Sequence, residues 1–158
     1  MGKKTGKNPT DRAKLGAKRS LLTEGAGTPI GLEVSGANVP DMRLVKATLK
    51  SVPVSRPEPT EHKPQHMALD KGYDYPTVDE LLTEWGYTAH IARRGQPKTL
   101  KPKLPHYRSR RWVVERTHSW FNRFRRLLIR WEKKTTNYLA LLHFACAWIT
   151  WRAAEVLG

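Results

Sequence analysis

His66-Met67-Ala68-Leu69-Asp70-Lys71-Gly72-Tyr73-Asp74-Tyr75-Pro76, read on to Ala92, is the stretch that decides the fold class of this chain. His66 to Asp70 reads as a short strand with an apolar middle and an aspartate at its end. Lys71-Gly72-Tyr73-Asp74 is the turn. Pro76 suits the first helical position, where the missing amide hydrogen costs nothing. Asp79 and Glu80 follow in the first turn, and Gly86 stops the helix. Tyr87 to Ala92 then reads as a second strand. Upstream, Lys18 to Thr23 and Pro29 to Ser35 are joined by Glu24-Gly25-Ala26-Gly27-Thr28, a glycine-containing hairpin connection. Asp41 is placed to cap a helix reaching about Leu49. Val52 to Pro64 carries four prolines and must be a loop. The order of hairpin, helix, strand, helix, strand, helix, helix predicts an α/β domain, a mixed sheet flanked by helices.

Downstream of Ala92 the chemistry changes. The chain has 158 residues and a net charge of +15. Fifteen Lys and Arg lie between Arg93 and Lys134, opposed by Glu115 and Glu132 alone, whereas residues 20–92 are net acidic. That segregation points to an anionic partner met by one region, most often nucleic acid. Residues 1–17 read as a basic flexible arm with little to bury, ahead of one domain over 18–158. A basic, Pro/Gly-punctuated loop is expected at about 93–109. One cysteine, Cys146, excludes an intramolecular disulfide. No Cys/His cluster has zinc spacing. The longest apolar run, about Tyr138 to Trp151, is too short to span a bilayer, so no membrane partner is expected.

A long helix is expected over about 110–131, with Val113, Thr117, Trp120, Phe124, Leu127, Leu128 and Trp131 on one apolar face. Trp120, Trp131 and Trp148 are expected in the core, although tryptophans here also have the chemistry to stack on bases. A last helix is expected over about 137–156, capped by Asn137. Within Arg110-Arg111-Trp112-Val113-Val114-Glu115-Arg116-Thr117, Glu115 is a lone carboxylate in basic surroundings. Its plainest role is an ion pair on a solvated helix. Its sharper role is a metal ligand beside a phosphate backbone, with Asp70 as partner carboxylate.

Several segments, taken in order, resemble insertion-sequence transposases of the DDE type. They are Asn8-Pro9-Thr10-Asp11-Arg12, Lys18-Arg19-Ser20-Leu21-Leu22, Gly36-Ala37-Asn38 with Asp41, Asp70-Lys71-Gly72-Tyr73-Asp74, Arg111 to Thr117, Asn122 to Leu127, and Asn137-Tyr138-Leu139-Ala140. The resemblance covers nearly the whole chain and implies a ribonuclease-H-like catalytic domain. In that family three carboxylates bind divalent metal; the second matches Asp70 and the third Glu115. The signature Tyr-x2-Arg-x3-Glu-x6-Lys is met in part: Arg111 and Glu115 fit, Tyr107 is one place early, and Asn122 fills the lysine slot. The family's first aspartate, on the central first strand, has no counterpart here, so a C-terminal portion lacking that ligand and strand is expected.

The resemblance implies phosphodiester cleavage and strand transfer at insertion-sequence ends, with Mg2+ or Mn2+ held by Asp70 and Glu115. It also implies double-stranded DNA (element ends and target) as partner, an upstream transposase segment, a homo-oligomer when active, and a cytoplasmic, nucleoid-associated protein of bacterial type. Lys71, Arg108, Arg110, Arg111, Arg116, Asn122, Arg123, Arg126 and Arg130 are the candidate DNA contacts. The isolated chain is expected not to cleave DNA. The alternative is a catalytically inactive DNA-binding remnant.

Overall fold

The computed structural model describes residues 4–95 and 111–157. The chain divides into two units, one formed by residues up to Val54 together with those from Val113 onward, the other by Ser55–Trp112.

The first unit is built on an antiparallel sheet of order β1-β2-β3, with β1 at Gly6–Lys7, β2 at Leu15–Thr23 and β3 at Pro29–Gly36. Leu21 pairs with Leu32 and Arg19 with Val34, and the register slips between Leu22 and Thr23 as the strands enter the turn. Alternation gives β3 two useful faces. Leu32 and Val34 enter a core with Phe121, Leu127, Tyr138, Leu142, Ala145 and Ile149. Gly31 is required for a different reason: a Cβ there would lie 2.9 Å from the carbonyl oxygen of Thr48. A 3-10 turn, Asp41–Leu44, leads into α1, Val45–Lys50, which buries Val45, Thr48 and Leu49. The buried hydroxyls of Thr48 and Ser20 hydrogen-bond at 2.7 Å and tie α1 to β2.

Three further helices complete this unit: α3 at Arg111–Asn122, α4 at Arg125–Leu128 and α5 at Thr135–Leu157. On α5 the buried Tyr138, Leu142, Ala145 and Ile149 recur at three and four residues, the stripe of a helix with one face on a core. The second unit is a βαβ arrangement. Here β4, Gln65–Leu69, runs parallel to β5, Tyr87–Ile91, with α2, Pro76–Glu84, between them in sequence. Among its described residues, Met67, Val78 and Leu82 are the buried apolar ones. No helix among the described residues is long and apolar enough to cross a membrane.

The α/β class and the predicted order of elements hold, with six departures. Among the described residues the strands form two sheets, not one mixed sheet, with β4 and β5 paired to each other. Residues 6–14 are ordered by the chain itself: β1 pairs with the start of β2, and the amide of Asn8 donates to the carbonyl of Lys14. Pro40, not Asp41, precedes the first helical turn, and Asp41 instead pairs with Lys18 at 3.0 Å. The expected helix over 110–131 is broken at Arg123–Phe124, where Phe124 is extended (φ −82°, ψ 101°). The break re-aims the apolar face. Phe121 becomes fully buried, whereas Leu128 and Trp131 are 58% and 74% exposed. The last helix begins at Thr135, so Asn137 lies inside its first turn rather than capping it. Of the tryptophans expected in the core, Trp120 packs partly against it, while Trp131 and Trp148 are exposed.

Candidate functional site

Asp70 directly follows β4, and its carboxylate accepts the amide hydrogen of Gly72. That bond folds the chain into the 3-10 turn Lys71–Tyr73, an Asx-type closure that leaves Lys71 exposed. Asp74 sits after the turn and is engaged with arginines. Arg93 donates to it at 2.8 Å and the Arg94 amide at 2.7 Å. Arg93 also grips Asp79 with two bonds, at 2.7 and 3.0 Å. The Arg93 hydrogen bond, then the Arg94 amide, hold the Asp74 carboxyl below the usual carboxylate range. Asp74 therefore reads as a turn-fixing ion-pair residue.

Glu115 lies on the exposed side of α3, whose opposite side carries the buried Val113, Thr117 and Phe121. The residues just after it are anchored by the β2–β3 turn. Thr117 is fully buried, and its hydroxyl donates to the Gly27 carbonyl at 2.6 Å. Arg116 donates to the Ala26 carbonyl and lies over the Trp120 ring, 4.9 Å from its centre. The turn is itself pre-shaped. Glu24 accepts the amides of Ala26 and Thr28 at 2.7 and 2.8 Å. Burial alone would raise the Glu24 pKa, but these amides and the Arg116 charge leave it below the ordinary value.

Gly27 has φ +94°, and a Cβ there would come within 2.8 Å of the Arg116 guanidinium. Arg19 adds a second anchor, donating to the Tyr138 hydroxyl at 2.9 Å and to the Leu127 carbonyl. Sequence reading missed these anchors. Their only advance signal was the Gly-x-Gly of the turn.

The candidate DNA contacts divide. Arg108 and Arg110 lie outside the described residues, as does Tyr107, and only the backbone of Arg111 is described, at the start of α3. Asn122 and Arg123 are exposed at the end of that helix. Arg126 is exposed and pairs with Glu132 at 3.0 Å. Arg130 is turned inward. It donates to the carbonyls of Glu132 and Lys4 at 3.0 and 3.3 Å and lies over the Tyr138 ring, 5.0 Å from its centre.

Cys146 is half-buried against the core, and burial pushes its thiol up to about 11, which favours the protonated thiol near neutral pH. Asp70 and Glu115 are carboxylates, the hard oxygen donors that Mg2+ accepts, so they suit such an ion in kind. Among the described residues no group of three or more His, Cys, Asp or Glu could hold a metal ion.

Comparison with known proteins adds two findings. The family model for the transposase DDE domain matches residues 1–150. A protein of Burkholderia cepacia named "Putative transposase for insertion sequence element IS402" is 37% identical over 151 residues, covering 94% of this chain and 69% of that protein. No solved structure matches the chain.

Proposed function

The chain belongs to the transposase DDE domain family, and on that premise we propose that it acts on DNA as part of a DDE transposase with a ribonuclease-H-like catalytic domain. The substrate is the double-stranded DNA of insertion-sequence ends and target, and the reaction is phosphodiester cleavage followed by strand transfer. Asp70 and Glu115 are the residues of this chain that hold Mg2+ or Mn2+. Divalent metal at such a centre offsets charge on the attacked phosphate and on the entering and leaving oxygens. Asp70 supplies its carboxylate from a strand end, with one oxygen oriented by the Gly72 amide. Glu115 supplies its own from a helix whose next two residues are locked to the β2–β3 turn. Lys71, Asn122, Arg123 and Arg126 are exposed and suited to phosphate contacts, which give affinity and salt dependence rather than sequence reading. Arg108, Arg110 and Arg111 add basic charge close by in sequence. The protein acts at the nucleoid, as an oligomer, together with an upstream transposase segment.

The observation that carries this reading is the strand-end Asp70 with its Lys-Gly-Tyr-Asp turn, in a chain matched by the DDE family over residues 1–150. The test is Mn2+ binding followed by calorimetry, together with nicking of end-containing DNA in the presence of the upstream segment. Asp70→Asn keeps an oxygen for the Gly72 amide but loses the charge. Asp70→Asn and Glu115→Gln are each expected to weaken Mn2+ binding at least tenfold and abolish nicking while leaving DNA binding in place. Unchanged Mn2+ affinity in both variants would remove these residues from the metal site. DNA binding with no nicking under any condition would favour the reading as an inactive DNA-binding remnant.

A further inference from the structure

A cleft of about 560 Å³ opens in the first unit, on a different face of α3 from Glu115. Its walls are aromatic and its rim is cationic. Trp120, Phe124 and Trp148 supply ring surface, and Arg116, Arg123 and Arg152 supply guanidinium groups. Arg116 is fixed over Trp120 as part of the wall. Arg123 and Arg152 are exposed, and no described residue pairs with either. Trp148 is 44% exposed and held edge-on to Trp151, with ring centres 5.1 Å apart. Leaving a tryptophan of that size open to water is unfavourable, and three arginines around an apolar cleft repel one another unless an anion joins them.

We propose that this cleft receives a single unpaired nucleotide of DNA, its base against Trp148 and Trp120 and its phosphates between Arg123 and Arg152. The occupant must be planar, apolar on its faces and anionic at its edge, and a nucleotide has all three properties. A base inside a duplex offers no free face, so the nucleotide must be unpaired to enter. The cleft volume lies within the range of small-ligand sites and suits one nucleotide rather than a duplex. The proposal rests on the DNA-directed reading above and adds a recognition site lined by residues other than the proposed metal carboxylates.

The test uses two DNA duplexes of one sequence, one fully paired and one with a single unpaired 2-aminopurine nucleotide, titrated with the full chain. Stacking of one base on aromatic side chains leads to an expected preference of roughly tenfold for the unpaired form, with its fluorescence quenched on binding. Trp148→Ala is expected to cut that preference below about threefold and relieve the quenching while leaving the paired duplex within about twofold, as stacking alone is lost. Arg152→Ser, at an exposed position, is expected to reduce the preference without altering the near-ultraviolet circular dichroism that reports folding.

Equal affinity for the two duplexes, or a preference that survives both variants, overturns the proposal while the DNA-directed reading stands. Failure to bind either duplex overturns both. A change in self-association on Trp148→Ala, with no nucleotide preference in the parent chain, assigns the cleft to protein docking and overturns it too.

Discussion

Gly27 anchors the turn of α3 that follows Glu115, through the bond its carbonyl accepts from Thr117. Its positive φ and the close approach of the Arg116 guanidinium exclude a side chain. Gly27→Ala forces a left-handed residue and displaces Arg116, at a cost of about 1–3 kcal/mol. In a domain of this size that lowers the thermal midpoint by several degrees, at roughly 2–4 °C per kcal/mol, which a melting curve followed by circular dichroism measures. Glu115 is a contrasting case. It is exposed, so Glu115→Gln is expected to change stability by no more than about 0.5 kcal/mol. A large loss of stability in Glu115→Gln would mean that the carboxylate serves the fold.

At the scale of elements, α3 carries a pH dependence through His118. Burial, then the charge of Arg19, lowers its pKa from the ordinary value of about 6.5. The folded form therefore holds His118 neutral, while the unfolded chain takes up a proton as pH falls through about 6.5. Stability is fully present above that pH and declines as pH drops towards the lower folded value. His90 on β5 is lowered too, by burial and then by His66, whose ring nitrogen lies 2.9 Å away, and it acts in the same direction. Urea unfolding of the parent chain between pH 7.5 and 5 is expected to show this decline, and His118→Gln to flatten it.

The same scale shows what was legible beforehand. The segment α2 was readable because its signals are local, with Pro76 at the start and Gly86 after the end. The β2–β3 hairpin was readable from its turn. The break between α3 and α4 was not, because apolar residues keep helical spacing across Arg123–Phe124, and only the packing of Phe121 and Leu127 on β3 interrupts them. A strand of two residues, β1, has no period to detect. The anchoring of α3 by Ala26 and Gly27 joins residues ninety positions apart, beyond the reach of any local pattern. Asp70 and Glu115 were singled out from a lone carboxylate in basic surroundings, an aspartate at a strand end, and family resemblance.

At the scale of the whole molecule, charge is the dominant property. A net charge of +15 over 158 residues, concentrated after Arg93, predicts DNA binding driven by counterion release. If four exposed basic groups reach phosphates, log affinity plotted against log salt has a slope of about −3.6, at roughly −0.9 per contact. Filter binding or fluorescence anisotropy between 50 and 300 mM salt measures it, and a slope near zero would exclude the basic surface as the DNA contact. Arg130 is the internal control. It is committed to Glu132, Lys4 and Tyr138, so its replacement is expected to lower the melting temperature more than it changes the slope.

The first unit is assembled from two separated lengths of chain, with Ser55–Trp112 lying between them in sequence. On a ribosome, Leu32 and Val34 are synthesised long before Phe121 and Leu142, their partners in the core. The nascent hairpin must wait with its greasy side uncovered until α5 has emerged, while the intervening βαβ segment, being contiguous, is free to finish first. Interrupted synthesis after Trp112 would thus release a molecule with one half complete and the other soliciting chaperones, so production of this protein is expected to be more sensitive to premature termination than its modest length suggests.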